Sequence, residues 1–223
     1  MAADDATVFR TIALGFAPEV SRAWEEATAP DAWTQFIDGL RGLAGSSRPL
    51  GAQRPYLRQR PRTSLGESMA VPEMRALFAP PDGEELRRFA RRHFIGGLAA
   101  SALPVESLYV PWAPRDQRAL THATGHYQST RSLYMRDLLA ALGLTLPEAL
   151  GTYPDHLTVQ LEVLAFLIEE GALAEAQQFL QERFAWLSDY RGRLIALGEE
   201  GRFHLALVDA VLAIRAQREA AAT

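Results

Sequence analysis

The chain has 223 residues, a formal net charge of −4 and 48% apolar residues, which excludes disordered and fibrous classes and argues against nucleic acid as the main partner. All 23 basic residues are Arg, and Lys, Asn and Cys are absent. That rules out P-loop, Schiff-base and kinase-type lysines, thiol nucleophiles, Fe–S clusters, cysteine zinc sites and disulfides.

In chain order, the first expectation is an N-terminal helical pair at about 4–28 and 31–44. The start, MAADDATVFRTIALGF, is acidic and lacks the basic region of a secretory leader, so a cytoplasmic location is expected. Residues 45–66, rich in Gly, Ser, Pro and Arg, read as a long loop. A second irregular stretch, Leu103 to Pro114, carries three prolines. Between 121 and 143, Tyr127, Tyr134, Leu138 and Ala141 share one helical face, and Gly143 stands where a C-capping glycine belongs. Three apolar stripes follow: Leu157, Leu161, Leu164 and Ile168; Leu173, Ala176, Leu180, Phe184 and Leu187; and Phe203, Leu207, Ala210, Val211 and Ile214. Ala (37) and Leu (31) far outnumber Val (9), Ile (6) and Thr (12), and no convincing alternating strand occurs. The expected fold class is all-α, with residues 1–223 forming one domain. No apolar run reaches the roughly 18 residues of a membrane-spanning helix.

Charge is uneven. Arg48 to Arg62 holds five Arg and no acid, whereas Asp137 to Asp189 holds nine acids and one basic residue, Arg183. The second stretch reads either as solvated helix faces or as an acidic surface for a basic peptide.

Three segments carry a family resemblance: EELRRFARRHFIGG (84–97), LPVESLYV (103–110) and TYPDHLTVQLEVLAFLIEEG (152–171), the last continued by FLQERFAWLSDYRGRL (179–194). In order and spacing they resemble the TorD/DmsD family of redox-enzyme maturation chaperones, with the NarJ-type nitrate reductase assembly proteins as relatives. Pro-Asp-His before an apolar helix is the most specific of these motifs. Thr152, Val105 and Phe184 stand where members often carry an acid, an aromatic and a His. The resemblance implies a single-domain TorD-like helical bundle, cytoplasmic, monomeric or a domain-swapped dimer, without enzymatic activity or a cofactor of its own. It further implies a partner: the apo form of a molybdoenzyme catalytic subunit, held by its twin-arginine signal peptide until the cofactor is inserted, with no membrane insertion of the chaperone.

Such a receptor needs carboxylates for guanidinium contacts and an apolar groove beside them. Asp155, Glu106 and Glu162 are the candidate acids, with His156 orienting Asp155 or the peptide backbone and Ser107 in the same motif. Pro104, Tyr109, Phe89, Phe94, Tyr127 and Tyr134 are the candidate walls. Asp155 also reads as an N-cap of the helix that follows it. Arg91-Arg92 with Phe94 and Ile95 looks like a twin-arginine signal itself, which raises self-occlusion in a swapped dimer as a minor reading. Three alternatives stay open: a NarJ-type factor acting on the body of a membrane-bound reductase, a small metal-dependent enzyme using His122, His126 and Asp155-His156, and a helical nucleic-acid-binding regulator.

Overall fold

Alanine- and leucine-rich stretches become helices throughout a computed structural model that describes residues 4–45, 71–95, 101–110 and 130–221. Among the described residues there are ten α-helices: α1 (Asp5–Gly15), α2 (Arg22–Ala27), α3 (Pro30–Gly45), α4 (Val71–Leu77), α5 (Gly83–His93), α6 (Thr130–Ala141), α7 (Leu157–Glu169), α8 (Leu173–Arg183), α9 (Leu187–Ala196) and α10 (Arg202–Ala221). Short 3-10 turns occupy Glu106–Leu108, Glu148–Leu150 and Gly198–Gly201. The described residues form no strand; Val105 and His156 make an isolated antiparallel bridge. The fold is an all-α multi-helix bundle.

Local chemistry sets the helix ends. The Asp4 carboxylate accepts from the Thr7 amide at 2.7 Å to start α1. Asp82 and Glu85 form a reciprocal capping box at α5. The expected N-terminal pair is three helices, because Pro18 disfavours helical geometry at Ala17 and α1 stops at Gly15. Pro30, which has no amide hydrogen to lose, opens α3. α6 ends in a Schellman motif, with the amides of Gly143 and Leu144 donating to the carbonyls of Ala140 and Leu139. The second apolar stripe crosses a break: α8 ends at Arg183 and α9 begins at Leu187, yet Leu180, Phe184 and Leu187 are all buried.

α7 is the centre. Eight of its residues, on nearly every side, are buried, among them Leu157, Leu161, Leu164 and Ala165, as expected of a helix enclosed by others. α1 lies along it and α8 packs beside it, while α10 covers α9, α3 and α8. A column of rings runs through this core. Phe94 stacks on Phe16 (centroids 6.3 Å apart), Phe16 meets Tyr190 edge-on, and Tyr190 leans on Trp186. Rings at these separations and tilts add to what their buried area contributes.

Candidate functional site

The segments 103–110 and 152–158, nearly fifty residues apart in sequence, interlock. The Leu157 amide donates to the Pro104 carbonyl at 2.8 Å, and the Glu106 amide to the Asp155 carbonyl at 3.2 Å. The Asp155 carboxylate accepts from the Ser107 amide at 2.8 Å, so it caps the 3-10 turn Glu106–Leu108. The residue that caps α7 is not Asp155 but His156, whose Nδ1 accepts from the Thr158 amide at 3.2 Å. Its other nitrogen therefore carries the hydrogen of a neutral ring. Burial holds the His156 pKa down at about 3.

Glu106 is the hub. It is 1% exposed, and its Oε2 accepts from Gln160 Nε2 and from Arg183 Nη2, both at 2.6 Å. Gln160 in turn accepts from the Trp186 indole at 3.1 Å. Arg131, on the first turn of α6, brings Nη1 to 3.6 Å from Oε1. The Arg183 guanidinium also lies over the Tyr134 ring, 4.6 Å from its centroid, a cation–π contact. Burial pushes the Glu106 pKa up to about 7, against the pull of Arg183 and Arg131 and with help from the neighbouring Asp155 charge. Burial likewise lowers the pKa of Arg183, offset by Glu106. Two buried polar atoms here have no hydrogen-bond partner among the described residues: Ser107 Oγ and Arg183 Nε. Natural interiors leave few such atoms, so each calls for a reason. Tyr109 closes one side, stacked on Trp186 with its hydroxyl donating to Leu103, and burial raises its pKa to about 12.

Asp155, His156, Glu106, Ser107, Pro104, Tyr109 and Tyr134 are thus gathered in one place. Glu162 is not with them. It lies two residues beyond Gln160, about 200° around the helix, and pairs with Arg10 at 3.4 Å on the outer face. Arg10 also makes a two-pronged contact with Glu169. Phe89 and Phe94 are elsewhere too: Phe89 lines a cleft of about 550 Å³ between α5 and the start of α10, with Leu77, Arg88, Glu200 and Phe203, and Phe94 packs edge-on against Phe89, ring centroids 5.5 Å apart. There Phe89 stacks on His204 at 3.8 Å, and His204 donates from Nε2 to the Gly15 carbonyl. Burial takes the His204 pKa to about 3. Arg91 pairs with Glu84 and Arg92 with Glu200, so within one chain the twin-arginine-like pair lies apart from the Glu106 hub. Tyr127, His122 and His126 lie outside the described residues.

Sequence reasoning missed Gln160, Arg131 and Trp186 as members of this site, and it counted Arg183 only as a charge. The signal was present: Gln160 and Arg183 sit within apolar helical stripes, where a polar residue needs a buried partner.

The family model described as nitrate reductase delta subunit matches residues 62–195, more than half of the chain. The chain belongs to the nitrate reductase delta subunit family. Members of this family are chaperones of molybdoenzyme assembly rather than enzymes. No curated protein and no solved structure matches the chain. The delta-family match takes in the whole Glu106 hub but leaves out α1–α3, α10 and the His204 side of the cleft. Among the described residues of this delta-family chaperone, no helix is long and apolar enough to cross a membrane, and no group of three or more His, Asp or Glu side chains is placed to hold a metal.

Proposed function

We propose that this chaperone binds the twin-arginine leader of an apo molybdoenzyme subunit at the Glu106 hub and keeps that subunit in the cytoplasm until its cofactor is in place. One observation carries the reading: Glu106 is a buried carboxylate whose cationic partners are both guanidiniums, beside two buried polar atoms with no hydrogen-bond partner among the described residues. A carboxylate that accommodates arginine side chains from its own chain has the chemistry to take one from a client. Asp155 holds the turn that presents Glu106 and Ser107, and His156 fixes the start of α7 behind it. Pro104, Tyr109 and Tyr134 supply apolar surface for the residues flanking the arginine pair. Binding tighter to the immature than to the mature client is what makes such a hold reversible. A monomer suffices for this role, and a domain-swapped dimer would carry two such hubs.

A second reading has its own support. The cleft of about 550 Å³ beside Phe89 and Phe203 lies apart from the hub, which suits contact with the body of a membrane-bound reductase.

Calorimetric titration separates the two. A synthetic leader with Arg-Arg should bind about tenfold tighter than the same peptide with Lys-Lys, the worth of a charged hydrogen bond that only a guanidinium fork completes. Equal binding of the two peptides would overturn the leader reading. Binding of a leaderless apo subunit as tightly as the leader-bearing one would favour contact with the enzyme body.

A further inference from the structure

We infer that Arg131 is a placeholder, a cation of the chaperone's own that shields the free oxygen of Glu106 and is displaced by a client guanidinium. The inference rests on the leader reading above and names the residue that sets its affinity. The two oxygens of Glu106 are treated differently. Oε2 is taken by Gln160 and Arg183 at hydrogen-bonding distance, from donors that are themselves buried. Oε1 faces Arg131 at 3.6 Å, which is charge contact without a hydrogen bond. It is therefore the oxygen with lone pairs to offer.

Arg131 is the looser of the two arginines on every count. Its side chain is 40% exposed where that of Arg183 is 5% exposed. Arg183 is held by the Glu106 hydrogen bond and rests on the Tyr134 ring. Arg131 stands instead on the first turn of α6, where the helix dipole opposes a cation and no acid of that turn offsets it. A guanidinium arriving from outside can approach Oε1 at hydrogen-bonding distance, while Arg131 swings into water at little cost. The charge count of the hub, two acids (Glu106 and Asp155) against two arginines, is the same before and after the exchange. Ser107 Oγ, buried and without a hydrogen-bond partner among the described residues, is at hand on the next residue for a further polar contact with the incoming chain.

The test compares the wild-type protein with Arg131→Gln and Arg131→Lys, each titrated with the Arg-Arg and Lys-Lys leader peptides. It is run at about pH 8.5, well above the Glu106 value of about 7 with Arg131 in place, because removing that cation moves the carboxyl further up and a lower pH would favour its neutral form. Arg131→Gln should tighten the Arg-Arg peptide by about fivefold, the upper worth of a half-exposed ion pair. Arg131→Lys, which keeps the charge, should restore the wild-type affinity. Unchanged or weaker Arg-Arg binding in Arg131→Gln, with the wild type still preferring Arg-Arg, overturns the placeholder and leaves the leader reading standing. If none of the three proteins prefers Arg-Arg over Lys-Lys, the leader reading falls and the placeholder with it.

Discussion

Glu106 and Arg183 cost the protein desolvation of two charges, which their own contact, Gln160, Arg131 and the Tyr134 ring offset. A pair of this kind specifies one arrangement of α7, α8 and the 106–108 turn more than it adds stability. His156 acts by a simpler route, as a neutral cap. The folded ring stays unprotonated down to about pH 3, whereas in the unfolded chain it takes up a proton near its ordinary value of 6.5. The unfolded state then binds more protons between those values, so this contribution is complete above pH 6.5 and is lost as pH falls. The slope is at most about 1.4 kcal/mol per pH unit. His156→Asn keeps a capping acceptor and removes the titration. From about pH 7 to pH 5 it should lose about 1–2 kcal/mol less than the wild type in urea unfolding; parallel losses in the two proteins would show that His156 is not held neutral. Of these residues, Glu106, Asp155 and His156 stand out in the sequence as motif members. Their jobs do not, since only the folded backbone decides which of Asp155 and His156 reaches the Thr158 amide.

At the level of the helix, the punctuation is mostly local and mostly legible. Gly143 has φ +68°, and a Cβ there would meet nothing within 4 Å, so the cost of a side chain is purely conformational. Gly143→Ala should destabilise by about 1–2 kcal/mol. Gly192 is a useful contrast, lying inside α9 with open space around its missing Cβ and ordinary helical backbone. Gly192→Ala should stabilise by about 0.5–1 kcal/mol. Thermal melts of the two variants should therefore shift in opposite directions, and a shared direction would refute the assignment of the two positions. Less legible was the break between α8 and α9. The apolar spacing from Leu173 to Leu187 continues through it without a glycine or proline to mark the end. What turns the chain there is tertiary: Trp186 is drawn in to Gln160 of α7 and to the Tyr109 ring.

Across the whole molecule, the hub and the cleft are joined by the ring column Phe94–Phe16–Tyr190–Trp186. Phe16, at the end of α1, is fully buried and touches three of the surrounding rings, Phe94, Tyr190 and His204. It lies outside the family match, yet it packs against residues within it. Phe16→Ala should cost about 3–5 kcal/mol in denaturant unfolding, the usual toll of an emptied aromatic site. A loss under about 1 kcal/mol would mean that the N-terminal helices are only loosely coupled to the rest.

By itself the sequence determined the helical class, the Gly143 helix end and the broad family of molybdoenzyme-assembly chaperones, because side-chain periodicity, capping and motif order are properties of neighbouring residues. It also narrowed the candidate acids to three, from motif membership and charge. The tertiary structure decided which of them share a site. Glu106 and Asp155 meet because a turn near residue 105 zips onto one near residue 156, while Glu162 faces away with Arg10. Burial decided the rest: Arg183, a lone Arg among nine acids in sequence, is carried inside, where it meets Glu106. Such pairings depend on closing long loops of chain, and nothing in the local pattern of either segment encodes the other end.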